Sequence, residues 1–343
     1  SSDVCSSDLR VGIAGYGLAG RTFHSNLLKG AGFDVAAIMT NNDERRALAR
    51  DEFPESAVVV SIDELIDEDL DLIVVATKND VHADHAIAAL EAGIPVVVDK
   101  PTALSLDEVD EILDAADAND VEVTTFFNRL WDSDSLTLKK AMSEGVLGNI
   151  FRMDSRYERF RPQRNSQSWR ENTPYEEGGG LLLDLQPHLI STALDWFGPA
   201  ELMYSSVRSI RGGVDDDVVL VLRHESGIDS YLAVSSIVGA PGPRFRVSGD
   251  QGSLIVHDVD KQEALLRLGK HPVDGQWDED TTSPAFLHQG EHVMSYQGVP
   301  GNYGIFYEKV HIALELGSEF PISQDFIRSV AMIMDQAREE SVR

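Results

Sequence analysis

Cysteine is almost absent from this sequence: Cys5 is the only one in 343 residues. A single cysteine can form neither a disulfide within the chain nor a zinc site built from several thiolates. Apolar runs also stay well short of the ~20 residues that a membrane-spanning helix needs. These absences are typical of a reducing cytoplasm, where we expect the protein to reside, with no metal at its functional site.

Positive charge is scarce as well. The chain has 29 lysines and arginines, only eight of them lysines, against 58 acidic residues, which gives a net charge of −29 at pH 7. Because like charges repel, we expect neither nucleic acid nor an anionic membrane as a partner. A well-solvated acidic surface is the simpler explanation of this composition. Adaptation to a salty cytoplasm, in which screening relaxes self-repulsion, is the alternative.

The first nine residues, 1–9, are polar and acidic, and they lack the basic start and apolar centre of a signal peptide. We expect a disordered leader or a cloning remnant there, outside the fold. The remaining length is enough for about two domains with substantial cores.

Residues 10–127 alternate short apolar runs with segments of helical spacing. This alternation predicts βαβ units and a doubly wound parallel sheet. The predicted strands are Arg10–Ala14, Val35–Met39, Leu70–Ala76, Val96–Val98 and Glu122–Thr125. The predicted helices are Thr22–Leu28, Asp43–Glu52, Val81–Ala92 and Leu106–Asn119.

The pattern changes over residues 128–343. Ser133–Gly145 predicts a helix, and the strand-like runs that follow are separated by short turns, which indicates an antiparallel sheet. The predicted strands are Ile150–Arg161, Val218–Arg223, Tyr231–Ser235, Arg244–Val247 and Leu254–His257, and the predicted closing helices are Phe306–Leu316 and Asp325–Glu340. We therefore expect two domains that meet near Asn128, with the cofactor between them.

A glycine-rich turn, G-x-G-x-x-G at Gly15–Gly20, lies between the first predicted strand and the first helix. Gly15 permits a tight turn, Gly17 lets the backbone approach a pyrophosphate, and Gly20 lets the helix pack on the strand. A purely structural turn is the alternative, but this position favours the dinucleotide site of a Rossmann domain. The residues expected to contact the dinucleotide are Gly15, Tyr16, Gly17, Leu18 and Gly20.

The end of the second strand bears on which dinucleotide binds. NAD-specific folds usually place a carboxylate there to hold the ribose 2′-hydroxyl, but here Thr40 and Asn41 occupy this position and Arg45 follows. Small polar residues with an arginine suit a 2′-phosphate, because guanidinium binds phosphate bidentately. We therefore expect NADP. NAD is the alternative, in which case Arg45 and Arg46 are solvated helix residues.

Polar side chains also follow the later strands. Lys100, within Asp99–Pro101, ends a strand where ligands gather in doubly wound folds, although it is alternatively a surface lysine. Its charge can lower the pKa of a substrate hydroxyl. Thr77, Asn79 and His82 follow another strand, so we expect them near a nicotinamide and its ribose. For His82, an ordinary position in the first turn of a helix is the alternative.

Asp184 and His188 lie in an apolar segment, Leu181–Ile190, that we expect to be buried. Both need partners there, since an unpaired buried polar group costs roughly 1–3 kcal/mol or more. Four residues apart on a helix they would share a face, although Pro187 either kinks that helix or starts it. They are either a structural pair or a general base, His188, beside a carboxylate.

Together these motifs resemble the Gfo/Idh/MocA oxidoreductase family. The resemblance rests on Gly15–Gly20, on Asp99–Pro101 (commonly Glu-Lys-Pro), and on Asp184 with His188 after a glycine run. It covers nearly the whole chain from Arg10. Three further segments are similar to the branch that contains NADP-dependent scyllo-inositol dehydrogenases: Asn128–Asp132, Tyr157–Pro162 and Trp169–Glu171.

The resemblance implies a Rossmann domain at 10–127 and an α/β domain at 128–343, whose large, mostly antiparallel open sheet forms homodimers or homotetramers. It also implies hydride transfer between a nicotinamide and a polyol or sugar. Lys100 would touch cofactor and substrate, Asp184 would bind or orient the substrate, and His188 would move the proton. The other implied contacts are Trp169 and Arg170 to the cofactor, and Arg129, Trp131 and Tyr157 to the substrate.

Two residues depart from the family pattern. Asp99 replaces the usual glutamate, and Gln186 stands where many members have a small residue, which bears on pocket shape. Two other activities stay open, namely reduction of a different small carbonyl or imine compound, and dinucleotide sensing without turnover. The presence of Lys100, Asp184 and His188 together favours an enzyme over a sensor.

Overall fold

The computed structural model describes residues 9–341, so the leader predicted over 1–9 lies, apart from Leu9, outside the described residues. Two sheets organise this part of the chain, one of six strands and one of eight. No helix within residues 9–341 combines the length and the apolar character that crossing a membrane requires.

Six parallel strands form the first sheet: β1 (Arg10–Ala14), β2 (Asp34–Met39), β3 (Ala57–Val59), β4 (Leu72–Val75), β5 (Val96–Asp99) and β6 (Val123–Phe126). Their order is β3-β2-β1-β4-β5-β6. The central strands are rich in buried valine and isoleucine, as is typical of parallel sheets. The predicted Rossmann sheet is confirmed, and its order reverses between β1 and β4, which opens a crevice at the carboxyl ends of the strands.

Five helices connect these strands: α1 (Ser25–Gly30), α2 (Asp43–Glu52), α3 (Ile62–Ile66), α4 (His82–Glu91) and α5 (Leu106–Asn119). A π-helical segment, Ala19–His24, leads directly into α1, so the first helical stretch begins earlier than predicted. Side-chain oxygens of Asn42, Ser61 and Ser105 accept amide hydrogen bonds at the starts of α2, α3 and α5. Such caps fix where each helix begins.

Eight strands form the second sheet: β7 (Ile150–Glu158), β8 (Ala200–Arg208), β9 (Asp217–His224), β10 (Asp229–Ser235), β11 (Phe245–Gly249), β12 (Gly252–Val256), β13 (Ala285–Gln289) and β14 (His292–Tyr296). Their order is β14-β13-β12-β11-β7-β10-β9-β8. Only β7 and β10 pair in parallel, so the predicted, mostly antiparallel sheet is confirmed. Along β9 and β10 buried residues alternate with open ones, which leaves one face uncovered by this chain.

The remaining helices are α6 (Ser133–Ser143), α7 (Trp169–Asn172), α8 (Leu181–Asp184), α9 (Gln186–Phe197), α10 (Gln262–Arg267), α11 (Trp277–Thr281), α12 (Gly304–Leu316) and α13 (Gln324–Ser341). Helix α9 is buried along almost its whole length and packs against β9, β10 and α13. Helix α13 returns to the first half of the chain, where Arg328 forms an ion pair with Asp110 at 2.8 Å. The chain leaves the first sheet at Phe126, close to the boundary predicted near Asn128, and enters the second sheet at Ile150 after α6.

Candidate active site

A cavity of about 430 Å³ lies at the carboxyl ends of the first-sheet strands. Residues that follow β1, β5 and β6 line one part of it. The other part is lined by α8, α9 and the segment after β7. Within residues 9–341, no group of three or more His, Cys, Asp or Glu side chains is placed to hold a metal ion.

The glycine-rich turn follows β1. Gly15 has a φ of +102°, and a Cβ atom there would meet the carbonyl group of Ala76. A Cβ on Gly20 would overlap the carbonyl oxygen of Gly15. At Gly17, by contrast, the nearest atom to such a Cβ is Nη1 of Arg45, at 3.6 Å. The fold therefore requires glycine at 15 and 20, whereas the open backbone at 17 fits the close approach of a phosphate group.

Tyr16 points away from the cavity. Its side chain is only 2% exposed, and its hydroxyl donates a hydrogen bond to Oε2 of Glu52 at 2.5 Å. Burial and this hydrogen bond raise the pKa of Tyr16. Only the backbone of Tyr16 is left for a cofactor, whereas Leu18 and Ala19 line the cavity.

The two arginines at the start of α2 differ in their partners. Arg46 forms an ion pair with an aspartate of the same turn. The guanidinium of Arg45 makes no hydrogen bond or ion pair to any described residue and faces the glycine-rich turn. At the end of β2, Thr40 is buried and Asn41 is exposed, without a carboxylate. These residues fit a 2′-phosphate better than a free 2′-hydroxyl.

The three polar residues after β4 lie behind the cavity rather than in its lining. His82 is buried, and its Nδ1 lies 2.8 Å from the carbonyl oxygen of Pro101. Asn79 donates a hydrogen bond from Nδ2 to the carbonyl oxygen of Gly178 at 3.2 Å, and Thr77 contacts a histidine of α4. The nicotinamide contact expected for His82 stays a prediction, since its buried side chain is not part of the cavity lining. Thr77 and Asn79 brace the neighbouring loops.

Lys100 and Asp184 meet in the cavity. Nζ of Lys100 donates hydrogen bonds to the carbonyl oxygen of Asp184 at 2.5 Å and to its Oδ1 at 3.2 Å. Nε of Arg170 lies 3.1 Å from the same Oδ1, and its guanidinium stacks on the ring of Trp169 at 4.6 Å. Burial alone would raise the pKa of Asp184, but the two cations hold it below its usual value. Trp169 is outside the cavity lining, whereas Arg170 is part of it.

His188 lines the same cavity from α9. It is 6% exposed, and its Nδ1 is buried without a hydrogen-bond partner among the described residues. Nε2 makes no protein hydrogen bond but is not buried, so it is the ring nitrogen that a ligand can reach. Burial, reinforced by the charges of Lys100 and Arg129, holds the pKa of His188 well below its usual value. The imidazole is therefore neutral at neutral pH and can accept a proton.

Asp184 and His188 do not share one continuous helix. Helix α8 ends at Asp184 and α9 begins at Gln186, with Pro187 in its first turn. No hydrogen bond joins the carboxylate to the imidazole, so Asp184 does not fix the orientation of His188 by direct contact. Gln186 is fully buried and outside the cavity lining, so any influence on pocket shape is indirect.

The three residues expected to contact substrate have different positions. Arg129 lines the cavity, held by an ion pair with Asp132 at 3.3 Å. Trp131 is buried in the core and does not line the cavity. Tyr157 packs edge-on to His188, with ring centroids 6.2 Å apart, and burial raises its pKa to about 12. Direct substrate contact stays a prediction for all three residues, of which only Arg129 lines the cavity.

Sequence reasoning missed two features of the cavity. His24 is fully buried between the hydroxyl of Tyr307, at 2.5 Å from Nδ1, and Asp99, at 3.9 Å from Nε2. The sequence signal for this feature was a histidine in the helical segment that follows the glycine-rich turn. The second feature is a run of arginines after β7 that faces the cavity: Arg159, Arg161 and Arg164. Their density in a chain poor in positive charge was the signal for them.

Comparisons with known proteins agree with this arrangement. Residues 9–127 match the Gfo/Idh/MocA oxidoreductase family with its NAD-binding Rossmann fold, and residues 135–255 match the Gfo/Idh/MocA carboxyl-terminal domain. The chain belongs to the Gfo/Idh/MocA family. This family member is 32% identical to the scyllo-inositol 2-dehydrogenase (NADP⁺) IolW of Bacillus subtilis, over 97% of this chain and 94% of that relative.

Other Gfo/Idh/MocA proteins match to a similar extent. The oxidoreductase YdgJ of Escherichia coli is 34% identical over 92% of each chain. The solved structure of the oxidoreductase yvaA from Bacillus subtilis superposes with a TM-score of 0.88 at 31% identity, covering 97% of this chain and 96% of that one. The family resemblance seen in the motifs is confirmed, and the protein is an oxidoreductase with an NAD(P)-binding Rossmann domain.

Proposed function

We propose that this protein is an NADP-dependent dehydrogenase that interconverts a secondary alcohol and a ketone on a cyclitol or sugar. One observation carries the proposal. The ammonium group of Lys100, the carboxylate of Asp184 and the reachable nitrogen of His188 line one cavity together with residues of the glycine-rich turn. The similarity to an NADP-dependent scyllo-inositol 2-dehydrogenase supports the cyclitol class.

The side chains of the cavity handle the proton and the developing charge. The dinucleotide, when bound, supplies the hydride acceptor. His188, neutral because of its burial, accepts the proton of the substrate hydroxyl at Nε2. The ammonium group of Lys100 stabilises the negative charge that develops on the substrate oxygen. Asp184 holds Lys100 in place through two oxygen atoms. In the reductive direction the same imidazole returns a proton to the ketone.

The preference for NADP rests on the corner beside the glycine-rich turn. Arg45 offers an unpaired guanidinium there, and the end of β2 offers no carboxylate for a ribose 2′-hydroxyl. A guanidinium and a phosphate form charge-assisted, bidentate hydrogen bonds. NAD is the alternative cofactor.

The direct test is the absorbance of reduced nicotinamide with NADP and then NAD, against scyllo-inositol, myo-inositol and a set of aldoses. We expect NADP-dependent turnover of at least one cyclitol or sugar. The variants Lys100→Met and His188→Ala should lower kcat/KM by about 10²–10⁴-fold, the size of a lost acid–base or electrostatic contribution. The matched controls are Lys309→Met and His292→Ala. Both side chains are exposed, and both residues are distant in sequence from the cavity residues.

Two results would count against this proposal. Near-normal turnover in both cavity variants would overturn the assigned roles of Lys100 and His188. Binding of NADP without turnover across the whole panel would favour a different carbonyl or imine substrate, or a dinucleotide sensor.

We also propose that two or four copies associate through the open face of the second sheet. Tyr204, Val221 and Tyr231 are in register across β8, β9 and β10 on this face. Tyr204 is 54% exposed and Tyr231 is 39% exposed, and exposed aromatic rows are typical of protein interfaces. Tyr231→Arg should shift the molar mass measured by light scattering towards the monomer, and an unchanged mass would exclude this face.

A further inference from the structure

Three arginines of the segment after β7 line the cavity without a carboxylate partner: Arg159, Arg161 and Arg164. Among the described residues, the side chains of Arg159 and Arg161 make no hydrogen bond or ion pair, and Nε of Arg159 is buried without an acceptor. Arg164 donates only to the carbonyl oxygen of Glu171 and to the side-chain oxygen of Asn172. In a chain with 58 acidic and 29 basic residues, unpaired guanidinium groups in one cavity indicate a place for an external anion.

The carboxylates that line this cavity already have partners. Asp184 is held by Lys100 and Arg170, and Glu171 is held by Arg211 at 3.2 Å. The other lining carboxylates and their partners are Asp99 with the Lys100 amide, Asp215 with the Leu182 amide, and Glu263 with Arg129 and Arg267. Three of the five lining carboxylates are therefore paired with other lysines or arginines, and none of the five forms an ion pair with the three arginines.

The backbone that carries these arginines is held in place. Nη1 of Arg211 donates hydrogen bonds to the carbonyl oxygen of Arg161 at 2.8 Å and to that of Gln163 at 3.5 Å. The guanidinium of Arg164 packs against Gly213, where a Cβ atom would overlap it. A charged group presented on a fixed backbone costs less to order when a ligand binds.

The arginines line the same cavity as the proposed catalytic groups. Burial and the charge of Arg161 lower the pKa of Arg159, and the charges of Asp184 and Glu171 counteract them. A bound anion would relieve the repulsion between the two guanidinium groups. The glycine-rich turn that fits the dinucleotide phosphates belongs to the other half of the chain.

We propose that Arg159, Arg161 and Arg164 form an anion subsite that binds a carboxylate or phosphate group of the substrate. This assignment rests on the proposed function and deepens it, because acidic sugars or cyclitols are then preferred to neutral ones as substrates. Guanidinium groups match carboxylate and phosphate oxygens bidentately. The pyrophosphate of the dinucleotide offers the same chemistry, so the test must separate these two sources.

The first arm of the test measures binding by calorimetry at low ionic strength, with D-glucuronate and inorganic phosphate as probes of the NADP-bound protein. The variants are Arg161→Gln, which removes no side-chain hydrogen bond or ion pair among the described residues, and the triple change of Arg159, Arg161 and Arg164 to Gln. Arg50→Gln is the control, since Arg50 is exposed and has no side-chain partner in the described structure. We expect binding to weaken at least tenfold in Arg161→Gln and to vanish in the triple variant, with the Kd of NADP changed less than twofold in Arg161→Gln.

Three results would overturn the substrate assignment in this arm. They are an absence of probe binding to the wild type, unchanged probe binding in the triple variant, and a tenfold weaker Kd for NADP with probe binding intact. The last result would assign the arginines to the dinucleotide pyrophosphate.

The second arm compares turnover of matched substrates, D-glucuronate with D-glucose and myo-inositol 1-phosphate with myo-inositol. We expect kcat/KM to favour the acidic member at least tenfold, and Arg161→Gln to abolish this preference by raising KM without changing kcat. Equal rates on acidic and neutral members would contradict the proposal. If no compound turns over but arginine-dependent binding is present, the proposed function fails and the anion subsite stands.

Discussion

At the scale of single residues, Arg45 is the side chain that separates the two nicotinamide cofactors. Its guanidinium is unpaired and faces the glycine-rich turn, whereas that of Arg46 is engaged by an aspartate. We expect Arg45→Ala to raise the KM of NADP by about tenfold or more, the value of a lost charge-assisted hydrogen bond, and to leave the KM of NAD nearly unchanged. Initial-rate kinetics with both cofactors measure this.

Arg46→Ala is the matched control. It removes an equal charge from the same helical turn, but the guanidinium that it removes is already paired with an aspartate. Equal changes in the KM of both cofactors for Arg45→Ala would contradict the assignment to a 2′-phosphate.

The burial of His188 determines how activity depends on pH. Its pKa is well below 6.5, so the neutral imidazole needed for alcohol oxidation persists as the pH falls through 6.5. We expect His188 to remain neutral and able to act as a base at pH 6.5. The fall in kcat/KM for oxidation that its protonation causes should therefore occur only in more acidic solution. A profile of kcat/KM from pH 5 to about pH 9, at saturating cofactor, tests this.

Asp215 lines the same cavity, and burial raises its pKa to about 6, so it also titrates in this range. The profile is therefore repeated with Asp215→Asn. An acidic limb at or above pH 6.5 that survives this change would contradict the neutral state of His188.

The sequence indicates which reactive groups the cavity contains better than it indicates which other side chains line it. Lys100 and Asp184 both line the cavity, as expected from the end of a strand and from an apolar helix next to a glycine run. Trp131 and His82 do not line it, because a side chain near a strand end can turn into the cavity or into the core. That choice depends on partners distant in sequence, such as α12 for Trp131, and no local pattern contains them.

At the scale of elements, the start of α8 depends on Gly180. Its backbone has φ +95° and ψ 163°. A Cβ atom on residue 180 would overlap Oδ1 of Asp215, whose Oδ2 accepts a hydrogen bond from the backbone amide of Leu182. We expect Gly180→Ala to destabilise the fold by roughly 1–3 kcal/mol and also to lower kcat/KM, because Asp184 ends the same helix. Urea unfolding and steady-state kinetics measure the two effects.

Gly198 is the matched control for this change. It has a similar backbone conformation, φ +81° and ψ −166°, but nothing lies near a Cβ built on it. Gly198→Ala should therefore cost stability through backbone strain alone and leave kcat/KM intact. Equal losses of activity in both variants would show that strain, and not the position of α8, is responsible.

Several elements with a clear pattern were predicted closely, whereas the strands β3, β8, β13 and β14 were not predicted. Arg10–Ala14, Asp43–Glu52 and Leu106–Asn119 have the bounds expected from the sequence, and a capping side chain marks the start of both helices. The strand β3 has only three residues, and β14 is exposed along most of its length. Neither strand alternates between buried and open residues, so neither has the signal from which strands are predicted.

At the scale of the whole molecule, the charge of the cavity opposes that of the rest of the chain. The net charge is −29, whereas eight cationic and five acidic side chains line the cavity within residues 9–341. Salt should therefore act in two directions. Between 0.05 M and about 1 M KCl we expect the Tm to rise, because screening weakens self-repulsion, and the KM of NADP to rise as well.

Differential scanning calorimetry and kinetics over the same KCl series test both parts. A Tm that does not rise in molar salt would exclude salt adaptation as the cause of the acidic composition. A KM that is insensitive to salt would contradict an electrostatic contribution of the cavity to cofactor binding.

The return of α12 and α13 to the first sheet limits how this protein can be divided and recombined. Tyr307 of α12 bonds His24, the carbonyl oxygen of Ile322 accepts from Thr124, and Arg328 of α13 pairs with Asp110. A fragment that ended at residue 127 would lose all three contacts and uncover the apolar surface beneath them. A chimaera that exchanges the cofactor-binding half between relatives must therefore carry the last forty residues along with the first 127. Two separate stretches of the gene then encode the part that is exchanged.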